Sequence, residues 1–201
     1  MPTHLGVLFA AAVATLFALP VAAGSAATRA SDPSEFVQSV AADTMTIARA
    51  HDYVERDRAM RGVLHDDFDV PYMASTALGP HWSTASNQQQ ARILAAVESS
   101  EAHALGERLG GLPGAALKVG RAASTASGVW LVDSRLFVPG GPSIKIEWEV
   151  RDLGLGLRIS DIRVEGVSQF RAHRADYQSY IRSHGGAVEP LVEALEARVG
   201  R

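Results

Sequence analysis

Residues 144 to 151, IKIEWEVR, alternate without exception: Ile144, Ile146, Trp148 and Val150 are apolar, and Lys145, Glu147, Glu149 and Arg151 are charged. Successive side chains of a strand point to opposite faces. The segment is therefore a strand with one face buried and one in water. Neighbouring segments carry the same period. Leu117 and Val119 begin it, and Trp130, Val132, Leu136 and Val138 continue it up to the turn Pro139-Gly140-Gly141-Pro142. In LRISDIRV, residues 157 to 164, Leu157 and Ile159 share one parity while Ile162 and Val164 share the other. The apolar face flips near Ser160-Asp161 unless one extra residue is absorbed there, so a bulge or bend is expected. Gly166 then allows a corner. Ser168 is a suitable N-cap for a helix with Phe170, Tyr177 and Ile181 on one stripe and Arg174 in the same row, ended by Gly185-Gly186.

Helical periodicity brackets this meander. Asp32-Pro33-Ser34-Glu35 has the form of a capping box with Pro at the first helical position. Phe36, Val37, Val40 and Ile47 follow at helical spacing, with Met45 off that stripe, and residues 54 to 64 form a second helix. Pro71 starts a third, with Tyr72, Met73, Leu78 and Trp82 as its large apolar residues and Gly79-Pro80 as a break. Ser83 to Gly110 reads as one long helix, capped by Thr84 or Ser86 and lined by Leu94, Val97, Leu105 and Leu109. Val188, Leu191, Val192, Leu195 and Val199 mark a last helix. Helices, then strands, then helices make an α+β fold: a curved antiparallel sheet of about four strands, helices on one face, and a cone-shaped apolar space between the layers.

The 201-residue chain suits one domain, placed at 33–201 after a flexible segment 24–32. A net charge of −3 without a Lys/Arg run excludes a nucleic-acid footprint. The absence of cysteine excludes thiol catalysis, disulfides and Cys-based metal sites. Residues 5 to 19, LGVLFAAAVATLFAL, are an uncharged apolar run followed by Pro20 and VAAGSAA. This has the form of a secretory signal peptide over residues 1–23, cleaved after Ala23 or Ala27. The run is short for a span of about 20 residues. An uncleaved anchor is the alternative, since no Lys or Arg precedes the run.

Catalytic patterns do not assemble. The histidines at 51, 65, 81, 103, 173 and 184 make no zinc-type pair. His65 with Asp66, Asp67 and Asp69 lacks the alternating ligands of a calcium loop and reads as a turn. Ser168, His173 and Asp176 share one helix without a nucleophile elbow, and Ser168 is a cap. The glycine-rich stretches near 110 and 139 precede strands rather than open helices, so they are not phosphate loops. What remains is apolar: Trp82, Trp130 and Trp148 in a chain only 6% aromatic, two of them at inward strand positions. Core packing accounts for any one of them, and the set suggests a pocket.

Together FD (Phe68-Asp69), LGPHW (Leu78 to Trp82) followed by STASNQQQ, SDIRVEGVS (Ser160 to Ser168), Arg174, Tyr177 and Gly185 resemble the MlaC family, also called toluene-tolerance auxiliary proteins. The resemblance spans about residues 33 to 199. It implies an NTF2-like cone with a buried site for acyl chains. It also implies periplasmic carriage of phospholipid between an inner-membrane ABC transporter complex and an outer-membrane lipid-exchange complex, without catalysis, cofactor or metal. Leu78 and Trp82 match the family's LG-x-x-W. Ile162, Val164 and Val167 match its D-V-x-x-E-G-V-S, and Arg174 and Tyr177 its R-x-x-F. With the inward apolar positions, the expected ligand residues are Met73, Leu78, Trp82, Val97, Trp130, Val132, Ile146, Trp148, Val164, Val167, Phe170, Arg174 and Tyr177. Arg174 is equally suited to a lipid phosphate and to a structural salt bridge. Leu157 stands where the family has Trp, Gln169 where it has an apolar residue, and His103 where it has Tyr. These departures point to a divergent branch, one of which is associated with hopanoids, so a polycyclic lipid is a second ligand class. Each buried methylene contributes about 0.8 kcal/mol, so two acyl chains in a dry cavity would cross an aqueous compartment stably. The competing readings are an NTF2-like small-molecule enzyme, which needs Asp, His or Tyr inside the cone, and an interaction subunit with a filled core.

Overall fold

Capping chemistry sets where the first helix begins. Asp32 Oδ1 accepts from the backbone N–H of Ser34 at 2.8 Å and of Glu35 at 3.0 Å, serving donors that a helix start leaves without partners. Helix α1 (Pro33–Ile47) follows in this computed structural model, which describes residues 31–199. The expected leader and almost all of segment 24–32 lie outside the described residues.

Helix α2 (Tyr53–Asp67) leads to α3 (Val70–Leu78), which Asp69 caps through the N–H of Tyr72 at 3.1 Å. Gly79, at φ 57° and ψ −129°, ends α3 and turns the chain into the short α4 (Pro80–Thr84). Of the two caps expected for the long helix, Ser86 is the one realised, and Ser83 and Thr84 belong to the end of α4. Ser86 and Gln89 exchange hydrogen bonds in a capping box, and that exchange needs extended backbone at Ala85 and Ser86. Helix α5 (Asn87–Gly110) therefore starts at Asn87.

The strands β1 (Ala116–Ser124), β2 (Trp130–Phe137), β3 (Ile144–Asp152), β4 (Leu157–Val164) and β5 (Val167–Ser168) pair antiparallel in chain order in an open sheet. The fifth strand, beyond the expected four, comes from a two-residue turn. Glu165 and Gly166 have φ of 48° and 81°, the positive values a type I′ hairpin requires. Glu165 tolerates this because its carboxylate accepts from the Lys145 N–H at 2.6 Å while its own N–H donates to the Lys145 carbonyl at 2.9 Å.

The expected bulge is present. Glu149 pairs with Asp161 and Val150 with Ile159, leaving Ser160 as the extra residue. The shift returns Leu157 and Ile159 to the face of Ile162 and Val164. Ser160 Oγ bonds back to Glu149. The other face of the sheet carries charge, with Arg163 on Glu147 at 2.7 Å and Arg151 on Glu149 at 2.9 Å.

Helices cover the apolar face. Ser168 caps α6 (Gln169–Ser183) through the Arg171 N–H at 3.2 Å, and α7 (Glu189–Val199) lies along α5. Arg92 fixes that packing by bonding both oxygens of Glu196, at 2.8 and 2.7 Å, and reaching Glu189. The core joins Phe36, Met60, Met73, Leu78, Ile159 and Ile181, all fully buried, and each such side chain contributes about 1.5–3 kcal/mol.

Candidate functional site: an apolar cavity between sheet and helices

Between α1, the C-terminal half of α5 and the sheet the layers do not close, and a cavity of about 410 Å³ remains. Its floor is the even-numbered face of the meander. The register sets Leu136 against Ile144 and Val132 against Trp148, which brings Leu136, Ile144, Ile146 and Trp148 to the cavity beside Ile162 and Val164 of β4. Leu117 extends the floor to β1. Its roof is helical: Ala41, Thr44 and Met45 of α1, Leu105 and Leu109 of α5, and Phe170 of α6, with Leu64 and Phe68 at the end of α2. Trp148 is the largest wall. Its Nε1 donates to Ser134 Oγ at 2.8 Å, and that hydroxyl donates to the Ile146 carbonyl at 3.1 Å. The polar edge of the indole is thus satisfied within the sheet, and the ring serves as an apolar surface.

The polar side chains on the lining are Thr44, Glu101, Arg108 and Gln169. Three are already bonded. Thr44 Oγ1 donates to the Val40 carbonyl at 2.6 Å, Gln169 Nε2 to the Val167 carbonyl at 3.1 Å, and Glu101 meets His173 Nε2 at 3.2 Å. The Glu101 hydrogen bond holds the His173 imidazole above its ordinary pKa, against partial burial and the nearby charge of Arg108. Arg108 is exposed and has no hydrogen-bond or ion-pair partner among the described residues. The Glu101–His173 pair is a carboxylate–imidazole pair at the cavity edge, of the kind an enzyme of this shape uses. No Ser lines the cavity beside it, and the one lining hydroxyl, on Thr44, is spent on its own helix. Among the described residues no cluster of three or more His, Asp or Glu is placed to hold a metal ion.

Buried carboxyls lie elsewhere. Asp67, 3% exposed with Oδ1 unpartnered, has its pKa pushed up to about 6 by burial, reinforced by Asp66 and Asp43 and opposed by Arg158. Asp161 is likewise buried with an unpartnered oxygen.

Of the expected ligand residues, Ile146, Trp148, Val164 and Phe170 line the cavity. Met73, Leu78, Val97 and Val132 are inward but fully packed in the core, because α3 and α6 pack over β4 and fill the space at that end of the sheet. Trp82 and Trp130 are half-buried against the core and do not reach the cavity. Tyr177 is buried and stacks on His173 with ring centroids 5.8 Å apart. Val167, on the edge strand β5, is 57% exposed. The Arg174 guanidinium lies over Gly79, where an added Cβ would meet it at 3.1 Å, and it takes no part in the lining. Inward facing and cavity facing are different properties in a sheet covered along only part of its length.

Three of the lining residues outside that set had signals in the sequence. Met45 stands off the core stripe of α1, and an apolar residue off the stripe faces something other than the core. Leu105 and Leu109 continue the α5 stripe past the point where α7 covers it. Of the three departures from the family pattern, Gln169 lies on the lining, Leu157 is buried in the core, and His103 bonds the Tyr53 hydroxyl at 3.0 Å on the surface.

The family model for MlaC protein matches residues 35–197. The chain belongs to the MlaC family. Its α+β fold with an open antiparallel sheet is shared by the phospholipid-binding protein from Ralstonia solanacearum, solved in complex with a phospholipid. The two superpose with a TM-score of 0.68 at 19% identity, over 84% of this MlaC-family chain and 97% of that one. No curated protein matches it in sequence at a significant level.

Proposed function

We propose that this chain is a non-catalytic lipid carrier of the bacterial envelope, which holds an acyl lipid of the phospholipid class in the cavity above Trp148. The observation that carries this reading is a cavity of about 410 Å³ with apolar walls and its polar groups confined to a few side chains. Burying a chain there contributes about 0.8 kcal/mol per methylene. That is enough to keep a lipid out of water between two membranes and leaves release to a partner that opens the cavity or offers an equivalent one. Family membership and the phospholipid held by the Ralstonia protein support the ligand class. The apolar run at residues 5 to 19 supports export to the periplasm as a signal peptide. Donor and acceptor are then an inner-membrane ABC transporter complex and an outer-membrane lipid-exchange complex, and a polycyclic lipid of the hopanoid type is the alternative cargo.

The test is to purify the mature protein from an envelope fraction, extract it with organic solvent and identify lipid by mass spectrometry, then measure uptake from vesicles. A stoichiometric lipid and transfer between vesicles are expected. Absence of both sinks the proposal. Trp148→Asp should lower occupancy, since it places a charge on the apolar wall.

A further inference from the structure

We propose that the tip of the β3–β4 hairpin is a lipid-surface contact, where Leu153 and Leu155 enter an anionic bilayer and hold the chain on it reversibly. The proposal is independent of what the cavity holds. The first argument is exposure. Leu155 is 91% exposed and Leu153 is 50% exposed, on one protruding loop. The turn does not need either side chain. Asp152 accepts from the Gly154 N–H at 2.8 Å, and the Leu153 backbone N–H donates to the Gly156 carbonyl at 3.2 Å. Neither leucine belongs to the core. Turn tips ordinarily carry Gly, Asn, Asp or Ser. A single exposed leucine is common on a protein surface, but here two share a tip that polar residues would form equally well.

The second argument is charge. Just below the tip, Arg151 and Arg158 stand directly opposite each other on paired strands, an arrangement in which like charges repel. Arg151 turns away to Glu149 at 2.9 Å and lies over the Tyr72 ring at 3.7 Å. Arg158 donates to the Leu157 carbonyl at 3.0 Å and makes no ion pair among the described residues. Of the acids at this end, Asp67 is buried and Asp152 is held by the turn. Two leucines in front of an arginine pair and a tyrosine follow the order of an interfacial anchor: apolar groups reach the acyl region, while Arg and Tyr stay with the phosphates. Shape favours a bilayer over a protein partner. A stable protein interface takes about 800 Å² from each side, far more than a narrow tip offers, whereas lipid closes around it. The cavity residues Leu136, Ile144 and Ile146 lie towards the other end of the same strands. From Ile146 to Leu153 is about seven residues, or roughly 23 Å of strand. Contact at the tip therefore leaves that end of the sheet clear of the bilayer.

The experiment uses the purified mature protein and two vesicle preparations, phosphatidylcholine alone and an equal mixture of phosphatidylcholine and phosphatidylglycerol, with binding read by flotation. Wild type should float with both and more strongly with the anionic vesicles. The double variant Leu153→Ser, Leu155→Ser should lower partition by at least about tenfold. Its circular dichroism and its copurified lipid should match wild type, because neither leucine lines the cavity. Arg158→Gln should weaken binding to the anionic vesicles about fivefold and to phosphatidylcholine much less. Leu155→Trp reports depth: its added fluorescence should be quenched by lipids brominated on the acyl chain. No flotation of wild type, equal flotation of the double variant, or no quenching of the Leu155→Trp signal overturns the proposal. Self-association that the double variant abolishes, without flotation, also overturns it and assigns the tip to a second copy of the chain. All of these results leave lipid carriage standing, since that reading fails only on the lipid content and uptake of the cavity.

Discussion

Filling the cavity from α1 tests whether its volume sets the affinity for lipid. Ala41 is 5% exposed and lines the cavity. In Ala41→Phe the added phenyl ring occupies about 150 Å³, the space of one benzene, and leaves about 260 of the 410 Å³. Room for about six methylenes is lost, and at about 0.8 kcal/mol each that is ~5 kcal/mol, or between three and four decades in Kd. Outward movement of α1 recovers part of this, since overpacking strain of ~1–3 kcal/mol is what the helix yields to, so a loss of at least about thirtyfold is expected. Trp148 reports binding directly because it lines the cavity, whereas Trp82 and Trp130 do not. Quenching of Trp148 by chain-brominated palmitate, in a Trp82→Phe, Trp130→Phe background, gives the Kd. Ala42→Phe, on the exposed side of the same helix, is the control and should bind normally. A natively folded Ala41→Phe variant that binds palmitate as tightly as the control would refute the assignment of this cavity as the site.

Three further outcomes follow from the geometry. Asp67 has its folded-state pKa raised from 3.8 to about 6, so its contribution is most favourable below pH 3.8 and is lost as pH rises through 6, reaching ~3 kcal/mol at ~1.4 kcal/mol per unit. Asp67→Asn should therefore stabilise the protein at pH 7.5 by ~1–3 kcal/mol and be neutral near pH 3.5 in urea unfolding, and the same difference at both pH values would disprove the burial penalty. His173 is also raised, by Glu101, which for a base means that its stabilisation is whole below its ordinary value of about 6.5 and fades as pH climbs past that to the folded-state value. The stability gap between wild type and His173→Gln should shrink over that range, and a gap that widens with pH would contradict the pairing. Trp148→Phe leaves the Ser134 hydroxyl without its indole donor and should cost ~1–3 kcal/mol. A double-mutant cycle with Ser134→Ala should show coupling, and strict additivity would count against the bond.

Local chemistry made much of the fold legible. Alternation at 144 to 151 defined β3 and its buried face, and the parity flip at Ser160-Asp161 located the bulge that the pairing of Glu149 with Asp161 and Val150 with Ile159 realises. Asp32, Asp69, Ser86 and Ser168 cap the helices that follow them, because a cap is a contact between residues two or three apart. The choice of Ser86 over Thr84 as the cap of α5 was decided at the same range, by the Ser86–Gln89 exchange. Periodicity also gave the half-buried character of the sheet and hence the α+β class.

The site was less legible, because a cavity is a place where packing stops. Period two assigns Val132, Ile146 and Trp148 to one face without distinguishing them, yet Val132 ends in the solid core and the other two border open space. That division depends on how far α3 and α6 cover the sheet, and on where α7 packs along α5, contacts between residues about a hundred apart such as Arg92 with Glu196. The same holds for Arg108. Its sequence neighbours Glu101 and Glu107 look like partners, and only the fold pairs one with His173 of α6 and the other with Arg56 of α2. The sequence by itself determined which residues turn inward and where each element begins. The tertiary structure decided which inward residues border open space and which charges find partners.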